Sequence, residues 1–416
     1  ISLEVFCRQG LVPDDYEECC IGFMAGGDAA LIKSIENFED FPEYGKRQLL
    51  ELGYAENDLL ISTTEGGETP FVIGATEAAS ELGKRKPWFI YCNPDEQLVR
   101  EVERSKRVIQ NNNINNLSLF VGPMGLSGST RMQASTVLMA AVGWAIRFGN
   151  QIEQFETQCE QFQSTWEQLD LSPLAAFIQA EAKTYSQNEF VVYNTESYAV
   201  TVLTDTTERS PTFSLPPFEN ETESTDPPAW CYLSIPSAIN SQSAWKTVLE
   251  RPPRCLDWEG IEANTSEEYL RGFYIDQSCH QKRSSKTNQV PHHIFEIKET
   301  IEGIQFNFRG HNWVICTSNL GFFERNLLLK LILNIHSTLI MGLLNRFESN
   351  LMTYVKPTNF KLIDRTIRYV QRLAELQGSP KPSYEETARK LFALKDHLSN
   401  DEAIVIRLLD ELGIQQ

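Results

Sequence analysis

Apolar positions in the first third of the chain fall in short blocks separated by polar turns. "ECCIGFMAG", "NDLLIST", "PWFIYCNP" and "LSLFVGP" are apolar runs bounded by turn formers, as expected of buried strands. Between them, "DAALIKSIENFED" and "TPFVIGATEAASELGKR" repeat with a helical period, and a long helix is expected over about 129–148. "ISLEVFCRQGLV" reads as a helix already under way at the first residue. Buried strands joined through helices predict a parallel sheet covered on both faces, and so an α/β fold.

The pattern changes after residue 150. "FETQCEQFQSTWEQL" and "PLAAFIQAEAKTYS" predict linking helices, and "NEFVVYNT" opens a second α/β set. "PAWCYLSIP", "YLRGFYID" and "HNWVICTSN" are its other expected strands. Two polar stretches, "LPPFENETESTDPP" and "QSCHQKRSSKTNQVPHH", predict exposed loops. A long apolar helix is expected over 323–351, and short helices after it. Ser383-x-x-Glu386 and Ser399-x-x-Glu402 each have the form of a capping box. The expected division is 1–165, 166–350 and a helical module over 351–416.

The chain has 416 residues with a net charge of −19 and a pI near 4.9. This argues against nucleic acid or an anionic membrane as partner, since both select basic faces. A small anion is still admissible, because a few backbone N–H groups and one cation can hold it. Nine cysteines at irregular spacing, with no C-x-x-C pair, predict reduced thiols in a cytoplasmic protein. Cys279-His280 with His292-His293 fits no zinc spacing, so neither metal nor cofactor is expected. The apolar run "LLLKLILNIHSTLIMGLL" is broken by Lys330, Asn334 and His336, so no membrane span is expected.

Two strand-to-helix loops carry candidate chemistry. In "TTEGGETP", Thr69 is a good N-cap and Pro70 a good first helical residue, so a glycine-rich loop opens a helix at the carboxyl end of a strand. Ligands bind at such ends in open α/β sheets, and helix N-termini suit phosphate. In "VGPMGLSGSTRMQAS", Gly125, Ser127, Gly128, Ser129 and Thr130 supply amides and hydroxyls, and Arg131 a fixed cation.

"MAGGDAAL…IENFED", "TEGGETPFVIGATEAASELG", "YCNP" and "GPMGLSGSTRM" together resemble the sugar isomerase (SIS) domain of two families, bacterial N-acetylmuramic acid 6-phosphate etherase and glucokinase regulatory protein. The likeness covers about 1–149 and resumes at "ERNLLLKLILNIHSTLIMGLLNRFESNLMTYVKPTNFKLIDR". It implies two flavodoxin-like SIS domains packed as a pseudo-dimer with a helical lid, and a bound phosphosugar. Thr64, Gly67 and Thr69 would face the ligand from one loop, and Ser127, Ser129 and Arg131 from the other. Lys330 matches the lysine that reaches the phosphate from the second domain, while Met139 fills the equivalent position in the first. The family's first phosphate loop, a G-T-S-G-R pattern, would precede Ile1, so the sequence is expected to be a fragment.

Glu4 and Glu39 fall where the etherase has its two catalytic glutamates, and Glu36 lies in the same acidic cluster. Elimination of lactate needs a base at C2 and an acid at the leaving oxygen, which suits two carboxyls with separated pKa values. The chain also departs from the families. Their S-G-R-T-P is Gly66-Gly67-Glu68-Thr69-Pro70 here, and Glu65 and Glu68 bring negative charge to an anion loop. Gln133 replaces a lysine, and "YNTESYAV", which opens the second domain, has no glycine. The leading expectation is a phosphosugar sensor or regulator, with a kinase-like protein partner left open. The rival is an etherase-like lyase using Glu4 and Glu39. A scaffold that no longer binds sugar is the third.

Overall fold

A computed structural model describes residues 1–33, 35, 38–223, 227–357, 360–397 and 402–414. The chain opens with α1 (Ser2–Phe6), continues as a π-helical turn over Cys7–Leu11, and reaches α2 (Pro42–Glu51). Then come β1 (Ile61–Thr63), α3 (Pro70–Leu82), β2 (Trp88–Tyr91), α4 (Asp95–Glu101), α5 (Glu103–Ile109), β3 (Asn115–Ser118) and α6 (Gln133–Phe148). The three strands are parallel in the order β1-β2-β3. The central strand shows why both faces must be covered. Phe89 and Tyr91 pack with Ile73, Leu98 and Val108, while Ile90 and Cys92 pack with Ala134 and Leu138 on the other side. Side chains that alternate at period two are thus apolar on both faces.

Helices α7 (Ile152–Glu167) and α8 (Leu174–Ser186) lead to β4 (Phe190–Asn194), α9 (Ala199–Phe213), β5 (Cys231–Ser234) and α10 (Ser241–Leu249). There follow α11 (Glu262–Thr265), α12 (Glu267–Arg271), α13 (Cys279–Lys286), β6 (His292–Glu299), β7 (Gly303–Phe308), β8 (His311–Cys316) and α14 (Phe322–Leu343). The second sheet has the order β5-β4-β6-β7-β8. Its first three strands are parallel, and β6-β7-β8 is an antiparallel meander. A short antiparallel pair, β9 (Phe347–Glu348) and β10 (Leu351–Met352), precedes α15 (Phe360–Leu376), α16 (Tyr384–Leu394) and α17 (Ile404–Glu411). The α/β class with parallel strands, flanking helices and a helical C-terminal part is as expected.

Several elements differ from the sequence reading. "ECCIGFMAG" is not a strand: the Gly22 N–H donates to Glu4 Oε2 and the Met24 carbonyl accepts from Gln48, so side chains satisfy this backbone instead of a neighbouring strand. "DAALIKSIENFED" forms two 3₁₀ turns, Asp28–Leu31 and Phe38–Asp40, in place of one helix. "YLRGFYID" begins as helix α12, because the Ser266 hydroxyl caps the Tyr269 N–H. The two polar stretches are only partly loops. Glu219 and Asn220 are buried, the former against Arg283, and 279–286 is helical. The Ser383 cap is present, its hydroxyl accepting from the Glu386 N–H at 3.1 Å. Ser399 lies outside the described residues.

One large core joins the two ends of the chain. Val5 and Phe6 of α1 share it with α9, α14 and Leu408 of α17, and the Phe6 and Phe323 rings lie 5.5 Å apart. Helix α14 has the length and hydropathy of a membrane span, but 61% of that stretch is buried within the protein.

Candidate functional site

The first loop is built by the turn from β1 into α3. The Thr64 N–H donates to the Ile90 carbonyl, and the Gly67 N–H to that of Thr64. The Thr64 and Thr69 hydroxyls are 3.0 Å apart. Gly67 has φ +74°, and a Cβ there would lie 2.7 Å from Leu98. Only glycine combines that conformation with that contact. Ser105 donates to the Gly67 carbonyl at 2.7 Å, and Asn93 to that of Gly66 at 2.9 Å, so the loop is held before any ligand arrives. Glu68 is turned to Arg104, whose Nε donates to its carbonyl at 2.6 Å, which offsets part of its charge.

The second loop leads from β3 into α6. The Ser127 N–H donates to the Asn350 carbonyl at 2.8 Å, and the Ser127 carbonyl accepts from Tyr369 Oη of α15 at 2.6 Å. Ser129 is buried, its N–H donating to the Leu126 carbonyl. Gln133, at the family lysine position, donates to the Pro123 carbonyl at 3.1 Å and accepts from the Gly125 N–H. It fastens the loop with its amide where a lysine would add charge.

Arg131 and Lys330 meet at the end of this loop. Lys330 Nζ, from α14, donates to the Arg131 carbonyl at 2.9 Å, Thr136 Oγ1 at 2.7 Å and Asn334 Oδ1 at 3.0 Å. Arg131 is buried and ion-paired through Nη2 with Asp205 of α9, and the same nitrogen donates to Ser337 at 2.8 Å. Asp205 in turn accepts from Arg209, Asn334 and Ser337. Burial raises the Asp205 pKa, but Arg131 and Arg209 outweigh it and hold the carboxyl below its ordinary range. Burial and the Arg131 cation push Lys330 down to about 7, against the pull of Asp205, Glu65 and Glu208.

Sequence reading missed Asp205, Glu208, Thr136, Asn334 and Ser337. Glu208 stands three residues after Asp205 on α9, keeps solvent exposure, and lies within electrostatic reach of Arg131, Lys330 and Glu65. Crowding by protein raises its carboxyl pKa. A signal was present. Lys330, Asn334 and Ser337 are spaced four and three apart, a single polar stripe on an apolar helix.

Among the described residues, neither Glu4 nor Glu39, the expected acid and base, is bonded to Arg131, Lys330 or Asp205. Glu4 is buried and accepts from Arg251 Nε at 3.0 Å and from Arg254 Nη1 and Nη2 at 2.8 Å each. Arg251 also binds Asp28 at 2.6 and 3.0 Å. Burial alone would raise the Glu4 pKa, but Arg254 and Arg251 bring it below the ordinary value. Glu4 is therefore an ionised tie between α1 and the segment after α10. Glu39 is exposed in its 3₁₀ turn, and Glu36 lies outside the described residues. A cleft of about 320 Å³ adjoins the Glu4 cluster, lined in part by Asp28, Gln48, Glu51 and Arg254. A wider groove of about 570 Å³, lined by Asp257, Glu259, Glu262 and Glu268, is acidic and repels phosphate.

The two strand-to-helix loops, with Lys330 bonded at the end of the second, belong to an α/β protein of parallel strands and flanking helices. Comparison with known proteins agrees. The sequence model of the glucokinase regulatory protein N-terminal SIS domain matches residues 6–80, which contain Glu39, Thr64, Gly67 and Thr69. N-acetylmuramic acid 6-phosphate etherases of Yersinia pestis (strain Pestoides F) and Yersinia pseudotuberculosis serotype O:1b are each 38% identical over 116 residues, 28% of this chain. The aligned part is 35% of their own length, so the chain spans about a third of these relatives. In its N-terminal part the chain resembles both of these SIS-domain families.

Proposed function

We propose that the chain binds a phosphosugar between units 1–165 and 166–350, and that it acts as a sensor or regulator. The loops at Thr64–Thr69 and Ser127–Arg131 form one wall, and Lys330 with Glu208 the other. The phosphate takes Arg131 and Lys330 as its cations, and Glu208 serves as acceptor for a sugar hydroxyl. Glu65, within electrostatic reach of Lys330, disfavours ligands of higher negative charge.

The observation that favours binding over elimination is the state of Glu4. A lyase with Glu4 and Glu39 as its acid and base needs both of them free to exchange a proton. Glu4 is held ionised by two guanidinium groups, which removes it from proton exchange near neutral pH. Two measurements test this reading. Incubation with N-acetylmuramic acid 6-phosphate should release no lactate. A thermal-shift panel of fructose, glucosamine and muramic acid phosphates should raise the melting temperature with at least one. A ligand at 100 times its Kd adds about 2.7 kcal/mol. Lactate release that is lost in Glu39→Gln would establish the lyase instead, and no shift with any phosphosugar would leave the scaffold reading.

A further inference from the structure

The cleft beside the Glu4 cluster and the wider acidic groove are neighbours, since Asp257 lines both. The cleft holds about 320 Å³ and the groove about 570 Å³. Both volumes suit a small-molecule site, which takes about 300–1,000 Å³. None of Arg131, Asp205, Glu208 or Lys330 lines either cavity.

One wall of the cleft carries an unanswered acceptor. Gln48 of α2 is 4% exposed. Its Nε2 donates to the Met24 carbonyl at 3.0 Å, and its Oε1 has no hydrogen-bond partner among the described residues. Rotating the amide would set Oε1 against the Met24 carbonyl, so the oxygen gains no donor that way. A buried carbonyl oxygen without a donor is costly. The charges around it call for the same kind of ligand. The one cation that lines the cleft, Arg254, is taken up by Glu4 through both Nη atoms at 2.8 Å. Asp28, Glu51 and Glu267 are matched by Arg251, Arg47 and Arg271. The carboxylates of Asp257 and, in the groove, Glu259, Glu262 and Glu268 have no ion-pair or hydrogen-bond partner among the described residues.

Among the described residues, no three His, Cys, Asp or Glu side chains converge as a metal site. The negative charges are strung out, and Phe23, Leu52 and Leu256 add apolar surface to the cleft. A metal ion has no use for that surface. A chain of ammonium groups joined by methylenes fits both features. We propose that the cleft and groove together bind a linear aliphatic polyamine. One terminal ammonium donates to Gln48 Oε1 and the Asp257 carboxylate. The other ammonium groups lie along Glu259, Glu262 and Glu268, and the methylenes rest on Phe23 and Leu256. The unpaired carboxylates concentrate the cation at the groove. The cleft has Gly22–Asp28 and α2 on one side and residues 253–257 on the other, so the ligand braces these segments together.

The full chain is titrated with spermidine by calorimetry at low salt, where surface electrostatics are least screened. Magnesium chloride at matched ionic strength and tetralysine serve as competitors. Spermidine should bind once per chain, and magnesium should not displace it. Asp257→Asn, at an exposed position, should weaken spermidine about tenfold, the effect of a lost charge-assisted hydrogen bond. Gln48→Met should weaken it to a similar degree, and Glu160→Gln, an exposed acid on α7, should leave it unchanged. Unchanged affinity in both Asp257→Asn and Gln48→Met would overturn the proposal. So would several spermidines per chain, displacement by magnesium, or an equal loss in Glu160→Gln, each of which is the mark of general charge attraction. Tetralysine that binds more tightly and displaces spermidine would assign the groove to a basic protein segment instead.

Discussion

Arg131 of the second loop and Asp205 of α9 form a buried ion pair that crosses from one sheet's surroundings to the other's. Asp205 also answers Arg209, so one carboxylate compensates two guanidinium groups. Asp205→Asn removes that compensation and should cost about 3–5 kcal/mol in urea denaturation. It also frees the Arg131 cation for an added anion. Added inorganic phosphate should therefore raise the melting temperature more in Asp205→Asn than in the parent. An equal or smaller rise would place Arg131 outside any anion site.

Lys330 carries the pH dependence. Its folded pKa is lowered to about 7 from 10.5. Below pH 7 both states are protonated and burial of the charge costs its full amount. From about 7 to 10.5 the unfolded chain holds a proton that the fold lacks, so stability rises with pH by up to about 1.4 kcal/mol per unit. Lys330→Met should stabilise the protein at pH 6, by less at pH 9, and not at all near pH 10.5. Denaturant titration at these pH values checks the trend. Ligand binding should run the opposite way: phosphate favours the charged lysine, so its affinity should fall above pH 7 as proton uptake becomes necessary. Calorimetry in two buffers of different ionisation enthalpy would detect that proton.

The two glutamates separate by stability. Glu4→Gln leaves Arg251 and Arg254 short of a charge and should cost about 3 kcal/mol, in the range for breaking a buried pair. Glu39 is exposed, so Glu39→Gln should stay within about 0.5 kcal/mol of the parent. If Glu39 touches a sugar, Glu39→Gln lowers affinity alone, whereas Glu4→Gln lowers affinity only as far as it loosens the fold. Paired denaturation and binding measurements on both variants distinguish these roles.

The sequence carried the parallel sheet well because its strands are local apolar runs with turn residues at both ends. Thr69-Pro70 marked the start of α3, and the glycines around it marked the loop. In the meander β6-β7-β8 only β8 was expected as a strand, and β6 begins at His292-His293, inside a polar stretch expected to be a loop. Long-range partners were hidden altogether. Nothing local to Glu4 announces Arg251 and Arg254, some 250 residues away. Its likeness to a catalytic glutamate and its place in an ion cluster are compatible readings of one position, and only the fold shows the second. Asp205 and the polar stripe on α14 were legible by spacing, but require the knowledge that α9 and α14 pack on each other.

The contact between α15 and the second loop gives a further test. A Cβ on Gly128, where φ is +75°, would lie 2.6 Å from Tyr369 Oη and 3.0 Å from Arg365 Cζ. Gly128→Ala therefore combines backbone strain with a clash against the C-terminal helices. The strain alone is worth about 1–2 kcal/mol. Tyr369→Phe removes the hydroxyl that donates to the Ser127 carbonyl, a loss of about 1 kcal/mol. It also removes the atom closest to the new methyl group. The two changes should then be coupled, the double variant costing less than the sum of the singles by about 0.5–1 kcal/mol. Hydrogen exchange should quicken over 360–376 in Gly128→Ala and in Tyr369→Phe, because α15 loses its hold on the loop in both. If phosphosugar binds behind this helix, its release rate should rise in Tyr369→Phe while the melting temperature of the unliganded protein changes by only a few degrees. Additive costs with unchanged exchange would show that α15 rests on the loop without holding it.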